Sequence, residues 1–222
     1  MKSFTNDEGA RVIVNMVNVI QDNKEYLSDI DGKIGDGDHG INMNKGFTLA
    51  REELNNNPGN LSHGLETLSK VLSLKIGGSM GPLYGFFFKA MGRSIAEKES
   101  IKADDLREML DAGLGAVQKT SNAQVGDKTL MDVLIPSVEA YKKSLNDGNS
   151  FHAALDDLKA AAIQGKDSTE NMVSQIGRSS RLGERSKGVI DPGAASCCLI
   201  LCSMAETVQE LLQESSGKRN PN

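Results

Sequence analysis

"IGDGDHGINMNKGF", residues 34–47, decides between two fold classes. Its glycines Gly35, Gly37 and Gly40 satisfy G-x-G-x-x-G, the pattern of a dinucleotide-binding loop. Such a loop follows a buried β-strand and precedes a helix within a βαβ unit. The residues directly before Gly35, EYLSDIDGKI, are polar and turn-like and contain no Val/Ile run. The glycine pattern therefore does not indicate a Rossmann domain.

The rest of the chain favours helices. Sustained alternating runs of Val, Ile, Thr and Tyr are absent, and aromatic residues make up only 4% of the 222 residues. Apolar periodicity predicts eight helical segments, the first from about 6 and the fourth from about 81, with the others at about 39–55, 61–75, 104–119, 128–145, 150–175 and 192–213. We predict one all-α domain over residues 1–213 and a disordered tail over 214–222. The irregular, arginine-rich segment 176–193 is long enough to suggest a functional loop.

Composition excludes several classes of function. A net charge of −5 argues against a broad surface for nucleic acid or for an anionic membrane. The sequence has no unbroken apolar run of 18 residues, and its start, MKSFTNDEGARV, lacks the apolar core of a signal peptide. The cytoplasm is therefore the expected location. The cysteines Cys197, Cys198 and Cys202 lie in one apolar run without a nearby histidine, which favours buried helix packing over a metal site.

The carboxylates of the opening stretch suggest a metal site. Asp31, Asp36 and Asp38 would repel a pyrophosphate unless divalent cations lay between them, and carboxylate oxygens are ligands that Mg²⁺ prefers. If the loop is extended, Asp36 and Asp38 face the same side and can share one ion. The helix that begins after the loop presents free backbone N–H groups at residues 39–42, which favours an anion. A plain Asx-type turn that caps this helix remains an alternative.

Five stretches decide in favour of the metal site. "DGKIGDGDHGINMNKGF", "GGSMGPLYGFFFKA", "GDKTLMDVLIP", "GRSSRLGERS" and "DPGAAS" occur in the order found in the nucleotide-binding L subunit of dihydroxyacetone kinase of the phosphotransferase-system-dependent type. The resemblance covers about residues 4–212. It implies a single-domain antiparallel eight-helix barrel with the nucleotide and metal site at one end.

The resemblance also implies a set of site residues. Asp31, Asp36 and Asp38 match the family's ligands of two Mg²⁺ ions that bridge the nucleotide phosphates. Arg178 matches an arginine that reaches the terminal phosphate and is the predicted catalytic residue. The other predicted nucleotide contacts are His39, Gly40, Ile41, Asn42, Gly78, Ser79, Met80, Ser121, Leu130, Asp191, Pro192 and Gly193.

Three of these positions depart from the family pattern. Met80 stands where many members have a serine, so a hydroxyl contact to phosphate is lost, is moved to Ser79 or is replaced by a backbone N–H. Leu130 stands where a relative carries Met, and Ser121 replaces a glycine. These changes put nucleotide selectivity and exchange rate in question, but they leave the phosphate–metal core intact.

The resemblance implies a function within a larger complex. We expect tightly held ADP (or ATP), phosphorylated in place by an M-type partner of the phosphoenolpyruvate phosphotransferase system. The γ-phosphoryl would then pass to dihydroxyacetone on a separate K-type subunit. An ATP-exchanging ketose kinase subunit, a module of a fatty-acid-phosphorylating kinase and a non-catalytic nucleotide-binding regulator are the alternatives. The identity of the ketose and a homodimer are left open.

Overall fold

A computed structural model describes residues 2–218. Within this range the chain forms nine α-helices and one pair of two-residue strands. The strands are β1 (Phe4–Thr5) and β2 (Ser100–Ile101), which pair antiparallel. The helices are α1 (Ala10–Asp22), α2 (Lys24–Ile34), α3 (His39–Asn56), α4 (Leu61–Lys75), α5 (Met80–Ser94), α6 (Ala103–Thr120), α7 (Met131–Asn146), α8 (Phe151–Ser168) and α9 (Pro192–Lys218). The all-α prediction is confirmed.

The helices contact one another in a closed circuit. Each helix from α3 to α8 packs against the next in chain order. Helices α1 and α2 both contact α3 and α9. The turns that precede α3, α5, α7 and α9 contribute to one cavity. The arrangement therefore gathers segments that are distant in sequence at one site.

The eight segments predicted from periodicity omit one helix, because the stretch before Gly35 that reads as turn-like forms α2. The stretch 25–34 is rich in polar residues, yet Leu27, Ile30 and Ile34 recur at helical spacing and are buried. This apolar stripe packs against α3 and α9 and outweighs the polar composition. Asp31 therefore lies in the last turn of a helix rather than in a loop.

Helix α9 passes through the core of the fold. Its window 192–217 is, within residues 2–218, the one helical stretch long and apolar enough to cross a membrane. However, 78% of its most apolar part is buried inside the protein. Cys197 and Cys198 are buried in this helix and Cys202 is half-buried, all as free thiols, which agrees with their predicted packing role.

The boundary predicted at residue 213 is wrong by at least five residues. Helix α9 continues to Lys218, so residues 214–218 of the predicted disordered tail are helical. Arg11 Nη2 of α1 lies 2.9 Å from the Glu214 carboxylate, and the Ser216 hydroxyl donates to the Leu212 carbonyl. The Arg11 contact joins the last turns of α9 to α1, and the Ser216 bond lies within α9 itself. Residues 219–222 of the predicted tail lie outside the described residues.

Pro136 lies inside α7, as the sequence predicts for the sixth helical segment. Proline lacks an N–H, so the carbonyl of Asp132 has no helical donor at that position. Gly165 of α8 packs so closely there that a Cβ would overlap this carbonyl oxygen. The close α7–α8 contact therefore depends on Gly165, which faces the Asp132 carbonyl that Pro136 leaves without a helical donor.

Candidate nucleotide and metal site

A cavity of about 310 Å³ opens where the turns before α3, α5, α7 and α9 meet. Its volume falls in the range of small-ligand sites. All the residues predicted from the sequence line it except Gly40, which is buried in the first turn of α3 against α2, and Ile41, which is 53% exposed. Residues that were not predicted also line it, including Lys128, Thr129 and Ile176.

Three carboxylates converge on one side of this cavity. Ligand oxygens of Asp31, Asp36 and Asp38 all lie within 4.8 Å of one another. Asp31 is 9% exposed at the end of α2, whereas the other two are exposed. The loop does not meet the condition of being extended, because Gly37 turns the chain with φ +77°. This turn, rather than strand-like alternation, brings the carboxylates together. Hard oxygen donors at this spacing suit one or more Mg²⁺ ions.

The start of α3 lies directly against the carboxylates. The backbone N–H of His39 donates to Asp31 Oδ2 at 3.1 Å. The next amides, of Gly40 and Ile41, belong to the first helical turn, where no intrahelical acceptor exists. Gly40 is required here because a Cβ would overlap the Lys24 carbonyl of α2. The close α2–α3 approach therefore places an anion-binding helix start beside the metal ligands.

The turn before α5 forms a second wall. Gly78 has φ +74°, and nothing lies within 4 Å of a Cβ placed on it. Ser79 precedes the helix without a side-chain capping hydrogen bond, so its hydroxyl is not committed to the helix start. Met80 is half-buried against the core. The geometry is consistent with Ser79, rather than position 80, supplying a hydroxyl to this cavity.

Leu130 and Ser121, two of the predicted nucleotide contacts, form another wall of the cavity. Leu130 is 6% exposed and precedes α7. The Ser121 hydroxyl accepts from the backbone N–H of Ala123 at 3.2 Å, so it stabilises the turn after α6. Leu130 keeps the apolar surface expected of the methionine it replaces.

The predicted irregular segment 176–193 contains a 3₁₀-helical stretch, Ser179–Ser186, kinked at Gly183. Arg178 precedes this stretch and is 61% exposed, and its guanidinium contacts the Asp36 carboxylate. The contact brings a cation from a distant loop onto the cluster of carboxylates. A guanidinium in this place can pair with phosphate oxygens.

Asp191 is a buried carboxyl at the start of α9. Its Oδ2 accepts from the backbone N–H of Ala194 at 2.8 Å. Burial raises the pKa of Asp191 to about 7, and the nearby charge of Asp132 adds to the rise, while Lys128 opposes it. The carboxyl therefore caps α9 beside Pro192 and Gly193, which also line the cavity.

A buried chain of hydrogen bonds, which no sequence pattern predicts, lies behind the cavity wall. The Ser196 hydroxyl lies 3.0 Å from His39 Nε2, 2.9 Å from the Tyr84 hydroxyl and 3.1 Å from the Gly193 carbonyl. A carbonyl only accepts, so Ser196 donates its one proton to Gly193 and accepts from both other groups. His39 is thus protonated on Nε2. Burial lowers the pKa of His39 to about 4, which keeps the ring neutral.

This chain of hydrogen bonds joins the starts of α3, α5 and α9. Within "DPGAAS" and "GGSMGPLYG" the positions of Ser196 and Tyr84 are visible, but small polar residues in apolar helices give no sign of their partners. Lys128 was not predicted either. The periodicity places it as the first residue of a helix, whereas the helix begins at Met131.

Comparison with known proteins shows the family of the chain. Residues 33–206 match the family model described as "DAK2 domain". The chain is 38% identical over 205 residues to "PEP-dependent dihydroxyacetone kinase 1, ADP-binding subunit DhaL" of Listeria innocua. The aligned residues cover 92% of this chain and 93% of that protein. It is 40% identical over 190 residues to "PTS-dependent dihydroxyacetone kinase, ADP-binding subunit DhaL" of Lactococcus lactis, with 85% and 91% covered.

Solved structures show the same fold. The dihydroxyacetone kinase of C. freundii superposes with a TM-score of 0.69 at 22% identity and covers 93% of this chain. Its complex with AMP-PNP and Mg²⁺ superposes with a TM-score of 0.67 at 23% identity and covers 89%. This chain spans 36% and 33% of those two chains, so the likeness concerns one part of them.

Proposed function

The chain belongs to the DAK2 domain family, and on that premise we propose that it is the ADP- and Mg²⁺-binding subunit of a dihydroxyacetone kinase. The names of its relatives in Listeria innocua and Lactococcus lactis support an ADP-binding role within a kinase. The single observation that carries the proposal is the meeting of three carboxylates with the open start of α3. Carboxylates at this position repel a phosphate that has no metal ion, whereas a phosphate bound together with divalent cations is attracted.

The residues present fit two Mg²⁺ ions and a diphosphate. Asp31, Asp36 and Asp38 would hold the ions, and the first-turn amides of α3 would bind phosphate oxygens. Divalent ions in such a site neutralise charge on a phosphoryl group. Leu130 would form an apolar wall for the base, and Ser79 would offer a hydroxyl near the phosphates.

Arg178 would act on the transferred group. Phosphoryl transfer requires positioning and neutralisation of charge more than covalent chemistry from the protein. The Arg178 guanidinium already lies against the cluster of carboxylates, where it can approach the terminal phosphate. Neutral His39 would hold the helix start in place through Ser196, because its Nε2 proton is committed there.

We propose cytoplasmic partners of two kinds. An M-type protein of the phosphoenolpyruvate phosphotransferase system would phosphorylate the bound nucleotide. A K-type subunit would present dihydroxyacetone to the γ-phosphoryl. The printed names of the relatives, "PEP-dependent" and "PTS-dependent", support the first partner over free ATP as the phosphoryl source.

Native mass spectrometry of the purified protein tests the proposal. We expect added mass equal to ADP and about two Mg²⁺ ions. Asp36→Ala should lose this mass, because one fewer carboxylate leaves a divalent ion short of charge and ligands. Asp29→Ala is the matched control, since Asp29 belongs to the same helix as Asp31 and lies outside the cavity lining. Protein that is bare and stays bare with added ADP and Mg²⁺ would refute the proposal.

Two further measurements separate the alternatives. Dialysis followed by nucleotide analysis distinguishes a retained ADP cofactor from an ATP-exchanging subunit, which releases ADP in each cycle. A non-catalytic regulator binds nucleotide normally but shows no transfer with any K-type partner. A pull-down from cell extract, probed for K-type and M-type proteins, tests the proposed complex directly.

A further inference from the structure

Lys128 is a buried lysine that the proposed function leaves without a role. Its residue is 1% exposed, although it lies on a turn and lines the candidate nucleotide cavity. Its Nζ donates to three backbone carbonyls, those of Ser186 at 2.6 Å, Val189 at 2.7 Å and Met172 at 3.2 Å. An ammonium has three N–H groups and a neutral amine has two, so three acceptors select the charged form.

The three carbonyls belong to the two ends of one segment. We define residues 173–189 as the arginine loop, which carries Arg178 near its start. Met172 precedes the loop, while Ser186 and Val189 lie at its end. One side chain therefore ties both ends together. Among the described residues, the Ser186 hydroxyl with Ser174 and the Gly188 amide with Glu170 also form bonds across the ends.

The backbone around Lys128 is built to turn this side chain inward. Lys128 has φ +62° and is, within residues 2–218, the one non-glycine residue with positive φ. Buried Asp132 holds the turn, because its two carboxylate oxygens accept from the amides of Gly126 at 2.5 Å and Thr129 at 2.7 Å. A conformation disfavoured for lysine is thus fixed by a separate carboxylate, a pattern typical of functional positions.

Within residues 2–218, no carboxylate forms a direct ion pair with Lys128. Burial lowers the pKa of Lys128, and the nearby carboxylates of Asp191 and Glu170 oppose that fall. The carbonyl oxygens supply the remaining stabilisation. Three charge-assisted hydrogen bonds hold a charged group more strongly than neutral contacts would.

We propose that Lys128 is a positioning residue whose ammonium clamps the ends of the arginine loop and thereby holds Arg178 over the phosphate end of the cavity. The inference rests on the proposed function for its catalytic consequence, but the clamp itself can be tested without activity. Lys128→Met keeps an unbranched chain and removes the donors. Lys143→Met is the matched control, because Lys143 is 78% exposed on α7 and pairs with Asp147.

Amide hydrogen exchange on the purified full chain tests the clamp. In Lys128→Met, the amides of Ser174, Gln175 and Gly188 should exchange about tenfold faster or more, because the loop ends open locally. Amides in α1 and α4 should keep their wild-type rates, and Lys143→Met should match wild type throughout. Unchanged exchange at those three amides, or an equal increase across the whole chain, would overturn the inference.

A double-mutant cycle tests whether the clamp acts through Arg178. Lys128→Met should reduce phosphoryl transfer at saturating substrate by about tenfold or more in the wild-type background and less than about twofold in the Arg178→Ala background. Fully additive losses would overturn action through Arg178. If wild-type protein shows no transfer with any partner, the proposed function fails, while the exchange result still decides the clamp.

A third measurement needs no variant and guards against misfolding. Brief acetylation of folded wild-type protein, followed by peptide mass analysis, should modify Lys128 at least about tenfold more slowly than Lys143, because its ammonium is buried and fully bonded. Equal modification of the two lysines would overturn the inference.

Discussion

The guanidinium of Arg178 contacts the carboxylate of Asp36 and joins the arginine loop to the turn between α2 and α3. The two side chains are 61% and 49% exposed, so the pair contributes little to the free energy of unfolding. Its importance is geometric. The guanidinium occupies a carboxylate that is also a proposed metal ligand, and a divalent ion bound to Asp36 would repel the guanidinium toward the phosphates.

Arg178→Ala should therefore reduce phosphoryl transfer far more than nucleotide retention. We expect transfer to fall by about 100-fold or more, because a positioned arginine neutralises charge that develops on the transferred group. ADP retention should fall by less than about tenfold. Coupled transfer assays and native mass spectrometry of the same preparations measure the two effects.

Arg181→Ala is the control for this prediction, since Arg181 is exposed on the same loop. It should leave both quantities near wild type. Equal losses of transfer and retention in Arg178→Ala would show that Arg178 only anchors the ground-state phosphate.

Asp191 and His39 should give the nucleotide-free protein opposing pH dependences. The pKa of Asp191 is raised from 3.8 to about 7, so the folded state binds the extra proton and stability falls as pH rises across that window. The pKa of His39 is lowered from 6.5 to about 4, so there the unfolded state binds the extra proton and stability rises with pH.

Asp191→Asn should remove the first effect and keep the cap on Ala194, because an amide oxygen also accepts a hydrogen bond. Its free energy of unfolding relative to wild type should increase from pH 4 to pH 7, by up to about 4 kcal/mol. Urea denaturation in EDTA at several pH values measures this difference. A difference that stays constant over the range would mean that Asp191 ionises with an ordinary pKa.

The helical fold could be predicted because it depends on local patterns, whereas most of the residues that line the candidate cavity were implied by the family resemblance. The apolar periodicity of α3 to α9 and the scarcity of strand signals indicate the fold. Charge chemistry alone leads from Asp36 and Asp38 to the alternatives of a metal site or a plain turn. The stripe of Leu27, Ile30 and Ile34 in α2 carries a comparable signal, but the polar residues around it obscure its helical period.

The remaining features depend on tertiary contacts that no local pattern encodes. Lys128 resembles any lysine before a helix, and its burial arises only because the arginine loop folds over it. Ser196 resembles a small helix residue until His39 and Tyr84 approach from two other helices. Long-range polar contacts of this kind have no sequence period, so neither residue could be singled out.

Ser196→Ala should destabilise the protein more than its size suggests. The hydroxyl is fully buried and satisfies His39 Nε2 and the Tyr84 hydroxyl, so its removal leaves two buried donors without a partner. We expect the free energy of unfolding to fall by about 2 kcal/mol. Ser203→Ala, on the same helix, should change it by less than about 0.5 kcal/mol, because the Ser203 hydroxyl makes no hydrogen bond within residues 2–218 and its loss leaves no partner unsatisfied. Similar values for both variants in urea denaturation would contradict the proposed hydrogen-bond chain.

Two glycine-to-alanine changes test the α7–α8 contact. Gly165 of α8 faces the Asp132 carbonyl so closely that a Cβ would overlap its oxygen, and backbone cannot move aside as a side chain can. Gly165→Ala should lower the free energy of unfolding by about 3 kcal/mol. It should also weaken ADP retention, because Asp132 holds the turn that carries Lys128.

Gly115→Ala in α6 is the counterpart, since nothing lies within 4 Å of a Cβ placed at this position. Alanine is the better helix former, so this variant should be more stable than wild type by about 0.5–1 kcal/mol and retain ADP normally. Urea denaturation of both variants gives the two free energies. The two substitutions are chemically identical. A Gly165→Ala protein as stable as Gly115→Ala would therefore show that α7 and α8 are further apart at Asp132 than described. It would also contradict the proposed link between this contact and the nucleotide site.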